Sequence, residues 1–268
     1  MLKRFSFTLG LLAMATTAWA SPVTISNIGG GWSNPTPANG DGVCVAIDNN
    51  LLGTNIDLVT WNGDQLNSTS GLEFCGLSGA PTRSSGYLFQ PVTTSYTFPV
   101  PDSLNQPFDL GTFEHINQIV QAAISSVVYD LSFTTTGAPA SFTTSLLFNH
   151  DETDNDPAGG ICEGNTTAGL NNGGCDDFVT VSPVLNAVIT SGMETYYFSL
   201  LGFSTDGGVT FNNVFRSPEN STNSADLYAI LTSKPFNPVP EPTTLVLLGT
   251  GLAGIATATR RIRRRSGR

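Results

Sequence analysis

The stretch SSVVYDLSFTTT, residues 125–136, decides the fold. Inside it Asp130-Leu131-Ser132-Phe133-Thr134 alternates polar with apolar, so an extended chain would put Leu131 and Phe133 on one side and the polar residues on the other. Val127, Val128, Tyr129 and Phe133 are also the β-branched and aromatic types that suit a pleated, half-buried surface. Working outward, runs of the same texture recur: GVCVAID (42–48), NIDLVTW (55–61), TSYTFPV (94–100), SFTTSLLFN (141–149), DFVTVSPV (177–184), ETYYFSLLGFS (194–204) and ADLYAILTS (225–233). Gly, Pro, Asn and Asp clusters separate them, with the backbone chemistry of turns. The one tempting helix covers residues 117–127, and β-branched side chains run through it. There is no long-period repeat. With 28 glycines, 16 prolines and 12% charged residues, the composition also suits short strands and turns. The expectation is all-β: one antiparallel β-sandwich or jelly-roll-like domain over residues 21–236.

Charge divides the chain. The formal net charge is −10, but residues 21–240 carry three bases (Arg83, Arg216 and Lys234) against 20 acids, a net of −17. Such a body repels phosphate backbones, so nucleic-acid binding is excluded as a function class. The remaining bases cluster at the ends. MLKRFSFTLGLLAMATTAWA, residues 1–20, has a basic start, an apolar run and an Ala18-Trp19-Ala20 site. It reads as a secretory signal peptide cleaved between Ala20 and Ser21, which implies passage through the secretion machinery.

At the other end, LVLLGTGLAGIATATRRIRRR invites two readings. Gly249, Gly251 and Gly254 have G-x-G-x-x-G spacing, but a dinucleotide site needs an acidic residue ~20 positions later, and no acid follows Glu241. Residues 244–259 are instead 16 uncharged residues, about 24 Å as a helix, a short membrane span with arginines held on the cytoplasmic side. The order of Val239-Pro240-Glu241-Pro242, apolar run and arginine tail resembles the PEP-CTERM sorting signal of exported bacterial proteins, so residues 237–268 are read as that signal. The resemblance implies recognition by an exosortase, a membrane-embedded processing enzyme. It further implies transient anchoring through the C-terminal segment and a bacterium that builds exopolysaccharide.

Four cysteines in an exported chain point to disulfides. Cys44 with Cys75 and Cys162 with Cys175 is the nearest-neighbour choice among three pairings, and the absence of Cys-x-x-Cys spacing disfavours zinc. Residues 149–177 concentrate carboxylates in a glycine-rich loop. There Asp151, Glu152, Asp154 and Asp156 are candidate Ca²⁺ ligands, although the spacing is not that of an EF-hand. His115 and His150 are the chain's two histidines. A transition-metal site needs them together with a carboxylate, which spacing does not establish, and a hydrogen-bonded structural role is the expectation for each. Trp32, Trp61 and Tyr87 are candidates for stacking on sugars or, more in keeping with their size, for core packing. There is no G-x-S-x-G, H-E-x-x-H or G-x-x-x-x-G-K pattern.

Read in order, the body is similar to the THxN family of PEP-CTERM proteins. The pieces are Gly31-Trp32-Ser33, Trp61-Asn62-Gly63, Ser85-Gly86-Tyr87-Leu88-Phe89, FDLGTFEHIN (108–117), FNHDETDN (148–155), CDDFVT (175–180), LLGFSTDGGVTFNNVF (200–215) and ENSTNSADLYAILT (219–232). His115 and Asn117 occupy the His-x-Asn positions, while Glu114 stands where the name-giving Thr is expected and Asp154 where Pro is common. The resemblance implies a secreted β-rich domain, carries no catalytic residues across, and leaves His115 and Asn117 as residues that pin a loop. The combined expectation is a non-enzymatic protein of the cell envelope or biofilm matrix. The alternatives are a calcium-stabilised carbohydrate-binding or adhesion module and, below it, a polysaccharide-active enzyme.

Overall fold

The 125–136 stretch folds as the sequence pattern dictates, into a long strand at the centre of one of two sheets. In the computed structural model, residues 22–38, 43–53, 55–62, 73–74, 84–98, 104–120, 123–136, 141–154, 162, 174–191 and 194–236 are described. The strands are β1 (Val23–Gly29), β2 (Trp32–Pro37), β3 (Cys44–Asn49), β4 (Asp57–Asn62), β5 (Glu73–Phe74), β6 (Ser85–Pro91), β7 (Tyr96–Phe98) and β8 (Pro107–Asn117). They continue as β9 (Ile124–Thr135), β10 (Phe142–Asp151), β11 (Asp177–Val181), β12 (Ala187–Ser191), β13 (Glu194–Ser204), β14 (Val214–Ser217) and β15 (Ser221–Thr232).

One sheet runs β14-β11-β10-β9-β1-β7, with β2 also on β9; the other runs β12-β13-β15-β8-β6-β4-β3-β5. Pairing is antiparallel except for the short β3–β5 contact. The expected β-sandwich is therefore the observed class. Among the described residues of 117–127 there is no helix: β8 ends at Asn117 and β9 begins at Ile124, in keeping with the β-branched content. The chain divides at Lys234/Pro235 into a larger and a smaller unit.

Alternation sets the core. Val127, Tyr129, Leu131 and Phe133 of β9 point inward and are buried, as are Leu146 and Phe148 of β10. From the facing sheet come Tyr87 and Phe89 of β6, Phe108, Leu110 and Phe113 of β8, and Phe198 of β13. The layers meet through aromatic pairs: Phe113 stacks on Phe148 with centroids 5.4 Å apart, and Phe133 meets Phe198 at 5.6 Å. Each such pair is worth roughly 0.5–1.5 kcal/mol beyond the area it buries. Polar contacts also cross between sheets. The Tyr129 hydroxyl donates to Asp57 Oδ2 (2.7 Å), Trp32 Nε1–H donates to the Asp57 carbonyl (3.1 Å), and Asn49 holds the Trp32 backbone through both its N–H and its carbonyl.

Two β-bulges re-aim side chains. In β8 the inward residues are Phe108 and Leu110, then Phe113, His115 and Asn117, so the facing parity switches at Gly111. The register with β15 shifts there: Asp109 is opposite Tyr228, and Gly111 is opposite Leu227. An added Cβ at Gly111 would lie 2.5 Å from the Gln90 carbonyl oxygen and 2.8 Å from Pro91 Cα, at φ +151°. Only glycine fits. Gly202 of β13 sits in a comparable bulge at φ +112°.

Gly111→Ala should therefore lower stability by roughly 1–3 kcal/mol, the range for backbone strain at a single site. A thermal melt would check it, and an unchanged melting temperature would contradict the proposed fit.

Candidate functional site

The inward rows of three strands change character at one end of the sandwich. Two residues past Phe113 on β8 stands His115, and two past Phe148 on β10 stands His150. On β11, Asp177 lies two before Val179. Because β10 and β11 run antiparallel with His150 opposite Val179, Asp177 falls at the same end as His150. Period-two alternation thus carries all three into the interior, where apolar residues would be the ordinary choice. Glu152 follows β10 directly, and Glu219 lies in the turn between β14 and β15.

These groups form two overlapping triads. One ligand-capable atom from each of His115, His150 and Asp177 lies within 4.8 Å of the others, and the same holds for Glu152, Asp177 and Glu219. Asp177 belongs to both. His115 and His150 meet edge to face with ring centroids 5.3 Å apart. Trp61 and Tyr87 wall them in: Trp61 stacks beside His115 at 6.0 Å, and Tyr87 lies 5.0 Å from it, directly across the β6–β8 pairing.

Hydrogen bonds fix some of the groups and leave others bare. His150 Nδ1 is 2.5 Å from the Tyr87 hydroxyl, and His150 Nε2 is 3.1 Å from Glu152 Oε2. Asp177 Oδ1 accepts from the Thr153 N–H (2.9 Å) and the Thr153 hydroxyl (3.3 Å). Arg216 Nε pairs with Asp176 Oδ2 at the margin, and the Asn117 side-chain N–H donates to the Ser217 carbonyl (3.0 Å). By contrast, both ring nitrogens of His115 and the Oδ2 of Asp177 are buried and have no hydrogen-bond partner.

Burial governs the protonation states. It holds the His115 imidazole well below its ordinary range, and the neighbouring His150 adds to this. His150 is lowered to about 4 by burial, which outweighs the opposing pull of Asp177 and Asp151. Burial also raises Asp177, with Glu152 adding like-charge repulsion, and raises Glu219 to about 7 for the same two reasons. The site favours neutral imidazoles and resists accumulating carboxylate charge.

The residues singled out from the sequence fall in different places. His115 and Asn117 are both buried in β8: Asn117 reaches the Ser217 carbonyl at the start of the β14–β15 turn, whereas the His115 ring has no hydrogen-bond partner. The two histidines, whose proximity spacing did not establish, are neighbours, with the Asp177 carboxylate in reach of both. Of the four residues put forward for calcium, Glu152 joins a triad, Asp151 and Asp154 are exposed, and Asp156 lies outside the described residues. Trp32, Trp61 and Tyr87 are at most 2% exposed, so none is a surface platform for sugars. Cys162 and Cys175 are joined, as the nearest-neighbour pairing requires, with a Cα–Cα distance of 5.5 Å. Cys44 is also disulfide-bonded, while Cys75 lies outside the described residues. So do Ala20, Ser21, Pro240, Glu241, Pro242 and the apolar segment 244–259. Among the described residues no helix is long and apolar enough to cross a membrane.

Glu219 and Asp177 were missed as site residues, and Tyr87 was named only for stacking on sugars or for core packing. Glu219 is 42 positions from Asp177, with β12, β13 and β14 between them, and no local spacing links it to the acidic loop. Tyr87 sits in a strand whose alternation marks it as core, which it also is.

By fold and site, the molecule is an all-β two-sheet protein enclosing a histidine–carboxylate cluster at one end of its core. Residues 238–264 match the PEP-CTERM protein-sorting motif. The chain thus bears the signal of an exported, membrane-processed protein recognised by an exosortase. No curated protein matches the chain.

Tyr87→Phe should cost about 1–3 kcal/mol, because it strips a buried histidine nitrogen of its hydroxyl partner. Urea unfolding of wild type and variant would measure this, and a difference under ~0.5 kcal/mol, the size of an ordinary surface substitution, would contradict it.

Proposed function

We propose that the protein is a non-enzymatic component of the cell envelope or biofilm matrix, a THxN-type PEP-CTERM protein delivered by its C-terminal signal. The observation that carries this reading is the match of residues 238–264 to the sorting motif, beginning six residues after β15 ends at Thr232. The β body is the part such a signal would deliver.

Two features of the body bear on what it could contact. A cleft of about 430 Å³ opens beside β13 and β14, and Arg216 is the single charged side chain among its lining residues. It offers no pair of carboxylates for acid–base work on a glycosidic bond. The candidate aromatics lie in the core, so contact with matrix partners falls to the acidic, strand-edge and loop surface.

Deleting the exosortase tests delivery. In its absence the protein should keep residues 238–268, by intact mass, and stay in the inner-membrane fraction. In its presence the protein should appear shortened in the envelope and matrix fractions. Equal mass and distribution in both strains would sink the delivery step. Release of reducing sugar ends from matrix polysaccharide by the purified protein would sink the non-enzymatic reading.

A further inference from the structure

The strongest unexplained feature is the buried cluster, where both ring nitrogens of His115 and Asp177 Oδ2 have no hydrogen-bond partner. We propose that His115, His150 and Asp177 bind a divalent first-row transition-metal ion, with Glu152 and Glu219 at its carboxylate side. This goes beyond the delivery reading and stands independently of it.

Four observations carry the assignment. The first is proximity. Ligand atoms on one ion at ~2.0–2.2 Å bond lengths lie roughly 3–4.4 Å from each other, and those of His115, His150 and Asp177 already fall within 4.8 Å. The second is vacancy of the ligand atoms. His115 is 0% exposed with both nitrogens unpartnered, and Asp177, also 0% exposed, keeps Oδ2 bare while Thr153 occupies Oδ1. An unsatisfied buried polar group costs about 1–3 kcal/mol, and a leucine in the place of His115 would avoid that cost.

The third is the support around the ligands. Metal-bound histidines commonly hold their other ring nitrogen in a hydrogen bond, which fixes ring and tautomer. His150 can take this arrangement: with the ring proton on Nδ1 and donated to the Tyr87 hydroxyl, Nε2, which lies 3.1 Å from Glu152 Oε2, is the ligand atom. The fourth is the donor chemistry. Two imidazoles with carboxylates suit zinc, iron, nickel or copper, whereas calcium takes oxygen ligands. Thiolate ligation is closed to Cys44, Cys162 and Cys175, which are disulfide-bonded.

The test uses the full chain in detergent without a histidine tag, stripped with a chelator and then given zinc chloride. One zinc per chain should survive desalting, and the melting temperature should rise by several degrees, as for any ligand that binds the native state alone. Calcium chloride at the same concentration should give no comparable rise. Because the chain has two histidines in all, X-ray absorption at the zinc edge should show two imidazoles per ion, and both must be His115 and His150. His115→Leu should melt near the metal-free wild type and lose the zinc-dependent rise. If that variant does not fold, the absorption result on the unaltered chain still decides. Less than stoichiometric zinc, zinc without imidazole scattering, or a His115→Leu variant that binds as wild type does would each overturn the assignment.

Discussion

One extra residue in β8, accommodated at Gly111, determines what the interior contains. A strand shows alternate side chains to alternate faces, so a one-residue slip reverses every residue beyond it. Before the bulge Phe108 and Leu110 face inward; after it Phe113, His115 and Asn117 do. Without the slip, Thr112, Glu114 and Ile116 would take the inner face, and the Phe113–Phe148 stack between sheets would be lost along with His115. The same local device therefore joins the aromatic core to the ionisable end. Its backbone is hemmed in by Gln90 and Pro91 of the neighbouring strand, so the fit is set by β6 as much as by β8.

The protein handles buried carboxylates in two ways, and the contrast is informative. Asp57 is 5% exposed and fully engaged: Oδ2 accepts from the Tyr129 hydroxyl and Oδ1 from the Asn50 N–H. It ties the two sheets together and needs nothing further. Asp177 is more deeply buried, yet one oxygen is engaged by Thr153 and the other is bare, with Glu152 and a neutral histidine close by. Burying charges without full compensation costs several kcal/mol per ion. A fold able to satisfy Asp57 with neutral donors had the same means at Asp177, so its unsatisfied oxygen points to something other than core cohesion.

Much of the architecture was legible because it rests on period-two patterns. Residues 130–134 announced β9, and the runs at 42–48, 55–61, 141–149, 177–184, 194–204 and 225–233 each became or contained a strand. The 162–175 disulfide followed from compartment and spacing. The site was not legible, because it depends on registers between strands far apart in sequence. His115 and His150 are 35 positions apart, and their meeting depends on which sheet each strand joins and on the parity switch at Gly111. The acidic loop drew attention to Asp151 and Asp154 through residue type alone. Alternation at the end of β10 in fact turns Asp151 outward. A signal was nevertheless present: the segments quoted for the family resemblance supply Trp61, Tyr87, His115, Asn117, His150, Asp177 and Glu219, and all of these gather at one end of the sandwich.

The placement of the cluster bears on how an exported chain completes its fold. Its residues come from β8, β10, β11 and the β14–β15 turn, so no single hairpin can assemble it; both sheets must close first. The Cys162–Cys175 bond helps by anchoring the chain just before Asp176 and Asp177, and a loop of this length contributes roughly 3 kcal/mol on the chain-entropy account. It cannot by itself offset the desolvation of two histidines and the carboxylates around them. Since ligands so scattered have no preformed site in the unfolded chain, the binding energy of the proposed ion would act as folding energy. It would act at the end of the sandwich where the phenylalanines stop. An ion taken up after export would then tie closure of the two sheets to arrival outside the membrane, the destination that residues 238–264 encode.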